Sequence, residues 1–302
     1  MPAAAFVPDH LRFRHVYRPA TVVALSMLAA VCYAIATVLQ QRSAVRQPGH
    51  LSMRAGLLLR LVRQPLWLLG NVADALGFVF QFLALRRGSL ALVETLMVSG
   101  LVFALLFGAG LNHRSLRPEE WTSAAVVVAG LGLFLAVSRP GPGHPRASAE
   151  AWVALAAMTA VVAAAAAVLA RGSARRRAVA LAAGGGFVYG FASAVTERTG
   201  HALNRGVLHV LATWAPYTLI VAALIGMLLV QSAFNAGELR FSLPTLTVVQ
   251  PLVAIAIGQI MFNEKIASSG LARVGETAGL LLMIAGVFAL TQASTLIGTT
   301  AT

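Results

Sequence analysis

The chain has 302 residues, 58% of them hydrophobic and 11% charged, where a soluble domain carries about 45–50% and about 25%. One soluble core cannot hide that much apolar surface, and no polar linker divides the chain into domains, so lipid is the expected solvent. The net charge of +13 does not indicate nucleic acid, because Lys and Arg lie in short clusters between apolar runs, where a membrane protein uses them to orient its helices.

A helix crosses the hydrocarbon core in about 20 residues. Nine runs of about that length follow one another: Ala20–Gln41, Leu66–Leu85, Leu90–Leu111, Trp121–Ser138, Ala151–Ala170, Ala178–Thr196, Ala215–Phe234, Phe241–Phe262 and Glu276–Thr295. They leave only short connections. The expected fold is therefore all-α, a polytopic membrane protein with about nine transmembrane helices in one domain over 20–295, between a basic tail, 1–19, and a short C-terminal tail, 296–302. The first run is about twice as long as the apolar part of a signal peptide and is expected to stay. It contains Cys32, the single cysteine, which excludes an internal disulfide, a Cys-based zinc cluster and an iron–sulfur site and reads as a small buried hydrophobe. The stretch Arg42–Gln64 surrounds Leu57-Leu58-Leu59 with arginines and predicts an amphipathic interfacial helix, with a degenerate tenth span as the alternative. Pro140, Pro142 and Pro145 with Gly141 and Gly143 mark a hinge between halves.

The chain repeats itself. At a constant offset of 156, Ala24–Ala44 falls on Ala180–Gly200, pairing Tyr33 with Tyr189, Thr37 with Ser193 and Arg42 with Arg198. With small gaps, Gly77, Ala84, Gly88 and Leu90 then match Gly226, Ala233, Gly237 and Leu239. Asn112-His113-Arg114 falls on Asn263-Glu264-Lys265, and Gly132-Leu133-Phe134 on Gly286-Val287-Phe288. The reading is repeat one over 20–138, an Ala-rich linker helix over 151–170 and repeat two over 178–295. Copies five spans apart enter the membrane from opposite sides, an inverted 4+4 repeat with the substrate site expected near the midplane. Dense basic clusters at Arg42–Arg63 and at Arg171 with Arg175-Arg176-Arg177 put that face in the cytoplasm, so the N-terminus is expected outside and the C-terminus inside.

Ionised side chains inside a span cost about 2.5–3.5 kcal/mol on insertion scales. Asp74, in the middle of Leu66–Leu85, is the clearest candidate for the transport pathway, and Asn71 and Gln81 share its helix face. The alternative is helix–helix hydrogen bonding by a neutral Asp74. Glu94, flanked by Thr95 and Ser99, is a second candidate, its alternative being a pairing with Arg86 or Arg87 at the interface. The second half supplies Gln231 and Asn235, then Gln250 with Pro251, whose missing amide frees a carbonyl in mid-span. Tyr33 and Tyr189 line the path symmetrically or serve as packing. Glu197 and Glu264, at helix ends, are expected to pair with Arg198 and Lys265. Gly186 with Gly190 and Gly275 with Gly279 have the spacing that lets membrane helices approach closely. No phosphate-binding loop, HExxH or intramembrane Ser/His/Asp group is present, so no enzyme and no cofactor are expected.

These residues resemble the drug/metabolite transporter superfamily, whose repeats carry an "AL" helix, a helix ending in Gly-Glu or Asn-Glu, and a "G…GV" helix. Here these are Ala233-Phe234, Phe262-Asn263-Glu264, and Gly279 with Gly286-Val287. The nine-span count and the Gln231-x-x-x-Asn235-x-Gly237 stretch followed by Val249-x-Pro251 are more similar to NIPA-type magnesium transporters than to the ten-span EamA type. The resemblance covers about 20–295. It implies a multi-pass carrier, expected in the plasma membrane, with Mg2+ as one candidate substrate held by Asp74 and Glu94, and with a second copy of the chain as a candidate partner. The same carboxylates equally suit proton-coupled export of a small metabolite or drug, and a membrane scaffold that transports nothing is the reading from another class.

Overall fold

The structure is a computed structural model describing residues 19–44, 47, 55–111, 113, 115–138, 147–203, 205–236, 239–264 and 270–293. The N-terminal tail to residue 18, Arg46, Arg54, Asn112, Arg114, the hinge at Pro140–Pro145, Gly237, Lys265 and the C-terminal tail lie outside the described residues. Among those described, nine segments are long and apolar enough to cross a membrane, so the chain is a multi-pass integral membrane protein.

The helices are α1 (Pro19–Ala44), α2 (Ala55–Leu61), α3 (Pro65–Leu85), α4 (Leu90–Met97), α5 (Gly100–Leu111), α6 (Pro118–Ser138), α7 (Ala149–Leu169), α8 (Ala174–Leu203), α9 (Val207–Leu211), α10 (Ala215–Asn235), α11 (Leu239–Met261) and α12 (Gly270–Ala293). Local chemistry sets several starts. Proline stands in the first turn of α3 and α10, where its missing amide has no intrahelical partner to lose. Ser148 caps α7, its hydroxyl accepting from the Ala151 amide at 3.2 Å. The short α2 falls where an interfacial helix was expected: Leu61 is buried against Trp67, Val230 and Phe234, whereas Leu59 on its other side is exposed.

One predicted span is broken. The sequence predicts a continuous helix over Leu90–Leu111, but the chain splits at Val98 and Ser99 into α4 and α5. There the amides of Val98, Ser99 and Leu101 reach carbonyls only three residues back, at 3.1–3.2 Å. The Ser99 hydroxyl donates to the Leu96 carbonyl at 2.7 Å, competing with the backbone for its acceptor. Gly100 then lies against the Ala30 carbonyl of α1, where an added Cβ would stand 3.2 Å from that oxygen. By contrast α11 runs unbroken through Pro244 and Pro251.

The helices associate in a small number of tight pairs: α1 with α3, α8 with α10 and α11, and α6 with α12. Without a hydrophobic drive between helices in lipid, close approach at small residues supplies the contact. Gly186 and Gly190 admit α11, with Val249, Gln250 and Val253 against them, and Gly279 lies against the backbone of Phe134 and Gly130 on α6. Two tyrosines use glycines in the same way: the ring of Tyr33 covers Gly77 and the ring of Tyr189 covers Gly226. The outer faces remain apolar, with Leu69, Val72 and Leu281 all about 60% exposed, a surface suited to lipid and not to water.

Candidate functional site

A cavity of about 590 Å3 lies within the bundle, lined by residues of α1, α3, α4, α5, α8, α10 and α11. Most of its wall is apolar, including Phe78, Leu101, Leu219, Ile220, Met227 and Leu246, and several of its polar side chains form one hydrogen-bonded network. There the Tyr33 hydroxyl donates to Gln81 Oε1 at 2.7 Å. Gln81 Nε2 donates to Glu94 Oε1 at 2.7 Å and to Ser193 Oγ at 3.3 Å. Gln250 Nε2 donates to the other oxygen of Glu94 at 3.1 Å. Five helices thus meet around one buried carboxylate, satisfied by two side-chain amides where a lone carboxylate in lipid would be prohibitive.

Asp74 lines the same cavity from α3. It is half-buried and has no hydrogen-bond donor among the described residues, so its oxygens are available to whatever enters. Asn71, one turn earlier, donates to the Trp67 carbonyl of its own helix at 2.8 Å and borders the same cavity. Of the residues singled out from sequence, Tyr33, Asn71, Asp74, Gln81, Glu94, Tyr189, Gln250 and Pro251 all border the cavity.

Three others do not. Ser99 is buried at the α4–α5 break, its hydroxyl near the Met27 sulfur. Gln231 donates to Gln40 Oε1 at 2.7 Å and ties α10 to α1. Asn235 donates to the carbonyls of Ala44 and Gln47, at 3.3 and 3.0 Å, so it closes the C-terminal end of α1, where carbonyls lack helical partners. Gln40, Ser193 and Thr196, not among the candidates from sequence, also border the cavity. Helical spacing could have found them, since Gln40 lies two turns after Tyr33, and Ser193 and Thr196 lie one and two turns after Tyr189.

At the end of the bundle where α3, α8 and α11 terminate, a second charged group is assembled. The Arg198 guanidinium lies over the rings of Trp152 and Trp214, 5.3 and 5.2 Å from their centroids, within cation–π range. Glu197 is buried, with His201 Nε2 3.7 Å away on the same helix. Glu264 accepts from the backbone amides of Leu90 and Ala91 at 2.6 and 3.1 Å. For Glu197, His201 stands where the sequence suggested Arg198; Lys265, the cation suggested for Glu264, lies outside the described residues.

An uncharacterized protein of Corynebacterium glutamicum is 29% identical to this chain over 276 residues, a stretch that covers 91% of this chain and 96% of that protein. No protein-family model and no solved structure matches the chain.

Proposed function

We propose that the protein is a secondary transporter of the drug/metabolite type, neither an enzyme nor a scaffold, which moves a small solute across the membrane by alternating access. The cavity is the observation that carries this reading: about 590 Å3 of space inside a bundle of membrane helices, with a satisfied polar network on one wall and the unpaired carboxylate of Asp74 on another. A chain selected only to pack would gain nothing from keeping Asp74 open to a void, since polar groups inside a span are costly and need a use.

The inverted repeat belongs to the same proposal. Gly77 and Gly226 correspond in the sequence alignment, as do Tyr33 and Tyr189, and each tyrosine covers the glycine of its own half. His113 and Asn263, the two described non-glycine residues with left-handed φ, at 49° and 53°, follow α5 and α11. They correspond one position away from the register that pairs Asn112 with Asn263. Two such halves meeting at a midplane cavity can rock against each other and expose it to either side.

An organic cation fits the cavity better than a bare Mg2+. Mg2+ needs near-octahedral oxygen ligands, but both Glu94 oxygens already accept from amides and much of the remaining wall is hydrocarbon. A solute with a positive group for Asp74 and an apolar body for Phe78, Leu219 and Ile220 uses both kinds of wall. The divalent-cation reading keeps one observation in its favour, the free oxygens of Asp74 and Asn71 on the same helix face. Purified protein in liposomes with an imposed pH gradient tests the choice, with tetraphenylphosphonium, amino acids and Mg2+ offered separately. Uptake of tetraphenylphosphonium that is lost in Asp74→Asn supports the organic-cation reading. Mg2+ uptake lost in the same variant replaces it with the divalent reading, and unaltered transport in Asp74→Asn with Glu94→Gln removes the site.

A further inference from the structure

We infer that Glu264 is a positioning residue for Glu94: it holds the half-helix α4 by its first amides, and so sets where the Glu94 carboxylate stands in the cavity wall. The functional weight of this inference rests on the transporter reading above, but its structural content does not.

Helix α4 has eight residues and is separated from α5 by the break at Val98–Ser99, so it is not held in place by a longer helix beyond it. Its residues Leu90 to Leu96 are all buried, and buried amides at a helix start need acceptors. Ser89 Oγ accepts from the Leu92 amide at 3.1 Å. Glu264 accepts from the Leu90 and Ala91 amides at 2.6 and 3.1 Å. When Glu264 is ionised the contact is charge-assisted, and its charge meets the positive end of the helix dipole.

Glu264 reaches α4 because the chain doubles back after α11. Asn263 adopts the left-handed conformation, φ 53°, and the Glu264 amide donates to the Gly258 carbonyl at 3.1 Å. The carboxylate folds over Gly258, where an added Cβ would stand 2.5 Å from Oε2; this glycine leaves the space that the carboxylate fills. The segment from α11 through the turn after it therefore grips α4 at two points, by Glu264 at its first turn and by Gln250 at Glu94 in its second. A carboxylate one turn inside a short helix moves with that helix, so releasing the first grip alters the geometry of the second.

Among the described residues, the titratable group facing Glu264 is Glu197 on α8, with His201 beside Glu197 and Arg86, at the end of α3, against Gly200 on the same helix. Infrared difference spectroscopy of the full-length protein in liposomes, without any ligand, tests the inference. The Glu94 carboxyl band is identified as the one lost in Glu94→Gln. It is expected to move in Glu264→Ala and in Gly258→Ala, which displaces the carboxylate without removing it, and to move less in Glu264→Gln, which keeps one acceptor oxygen. A Glu94 band that stays in place in folded Glu264→Ala and Gly258→Ala overturns the inference, even if both variants are less stable. Should neither variant fold, amide exchange in the wild type decides: protection of 90–96 as strong as that of α8 supports the grip, and exchange as fast as at residues 171–173 overturns it. No transport is measured, so failure here is separate from failure of the transporter reading.

Discussion

The side-chain amide of Gln250 on α11 donates to Glu94 on α4 at 3.1 Å, while Gln81 from α3 serves the opposite oxygen at 2.7 Å. Glu94 is therefore an acceptor for two donors from two helices. Glu94→Gln, though isosteric, turns one acceptor into a donor and sets it against another donor. Leaving a buried donor unsatisfied costs about 1–3 kcal/mol, so thermal unfolding in detergent should show a lower Tm for Glu94→Gln. The double variant Glu94→Leu with Gln250→Leu should lose less than the sum of its single changes, because the two share one contact.

The tyrosine–glycine pairs give a second prediction. A Cβ at Gly77 would stand 3.0 Å from the Tyr33 ring, and one at Gly226 would overlap the Tyr189 ring more severely. Both tyrosines border the cavity, so a ring pushed off its glycine moves into it. Overpacking of this kind costs typically about 1–3 kcal/mol. Gly226→Ala should be the more destabilised of the two in thermal unfolding, and both should lower the affinity for any cavity ligand, measured by titration calorimetry.

Much of this arrangement can be read from the sequence, and the reason is physical. A span in lipid must be helical and about 20 residues long, so nine apolar runs fix nine helices with few alternatives. Polar residues inside those runs are rare enough to stand out, which is why Asp74, Gln81, Glu94 and Gln250 could be singled out before their geometry was known. What stayed hidden depends on tertiary contact. The break at Ser99 needs the carbonyl of Ala30 against Gly100, and the separation of Gln231 and Asn235 from the cavity needs α1 beside α10. Glu264, by sequence a helix end expected to pair with Lys265, is buried where the backbone turns at Asn263. No local pattern announces that its acceptor role is toward amides 173 and 174 positions away.

A pH dependence follows from Glu264. Burial, with the nearby Glu197 charge adding to it, pushes its carboxyl up to about 7 against the opposing pull of the Ala91 and Leu90 amides. An unfolded glutamate titrates near about 4.3, so the folded chain holds this proton more tightly than the unfolded one. The resulting stabilisation is fully present below about pH 4 and is lost as pH rises through about 7. The wild-type Tm should therefore fall between pH 5 and pH 8. The fall should be smaller in Glu264→Gln, which has no proton to lose, and differential scanning calorimetry at the two pH values checks this.

The contact between α6 and α12 separates stability from ligand binding. Added Cβ atoms at Gly130 and Gly279 would meet backbone, at 2.5 Å from the Met283 amide nitrogen and 2.7 Å from that of Phe134. A backbone atom cannot swing aside as a side chain can, so relief requires the two helices to part. Loss of close approach removes the packing that holds membrane helices together. Neither α6 nor α12 contributes a residue to the cavity wall. Gly279→Val should lower Tm by more than Gly226→Ala does, yet leave the affinity for a cavity ligand such as tetraphenylphosphonium unchanged below its unfolding temperature. A matching loss of affinity in Gly279→Val would show that α6 and α12 shape the cavity after all, and titration calorimetry beside thermal unfolding reads both quantities on the same preparation.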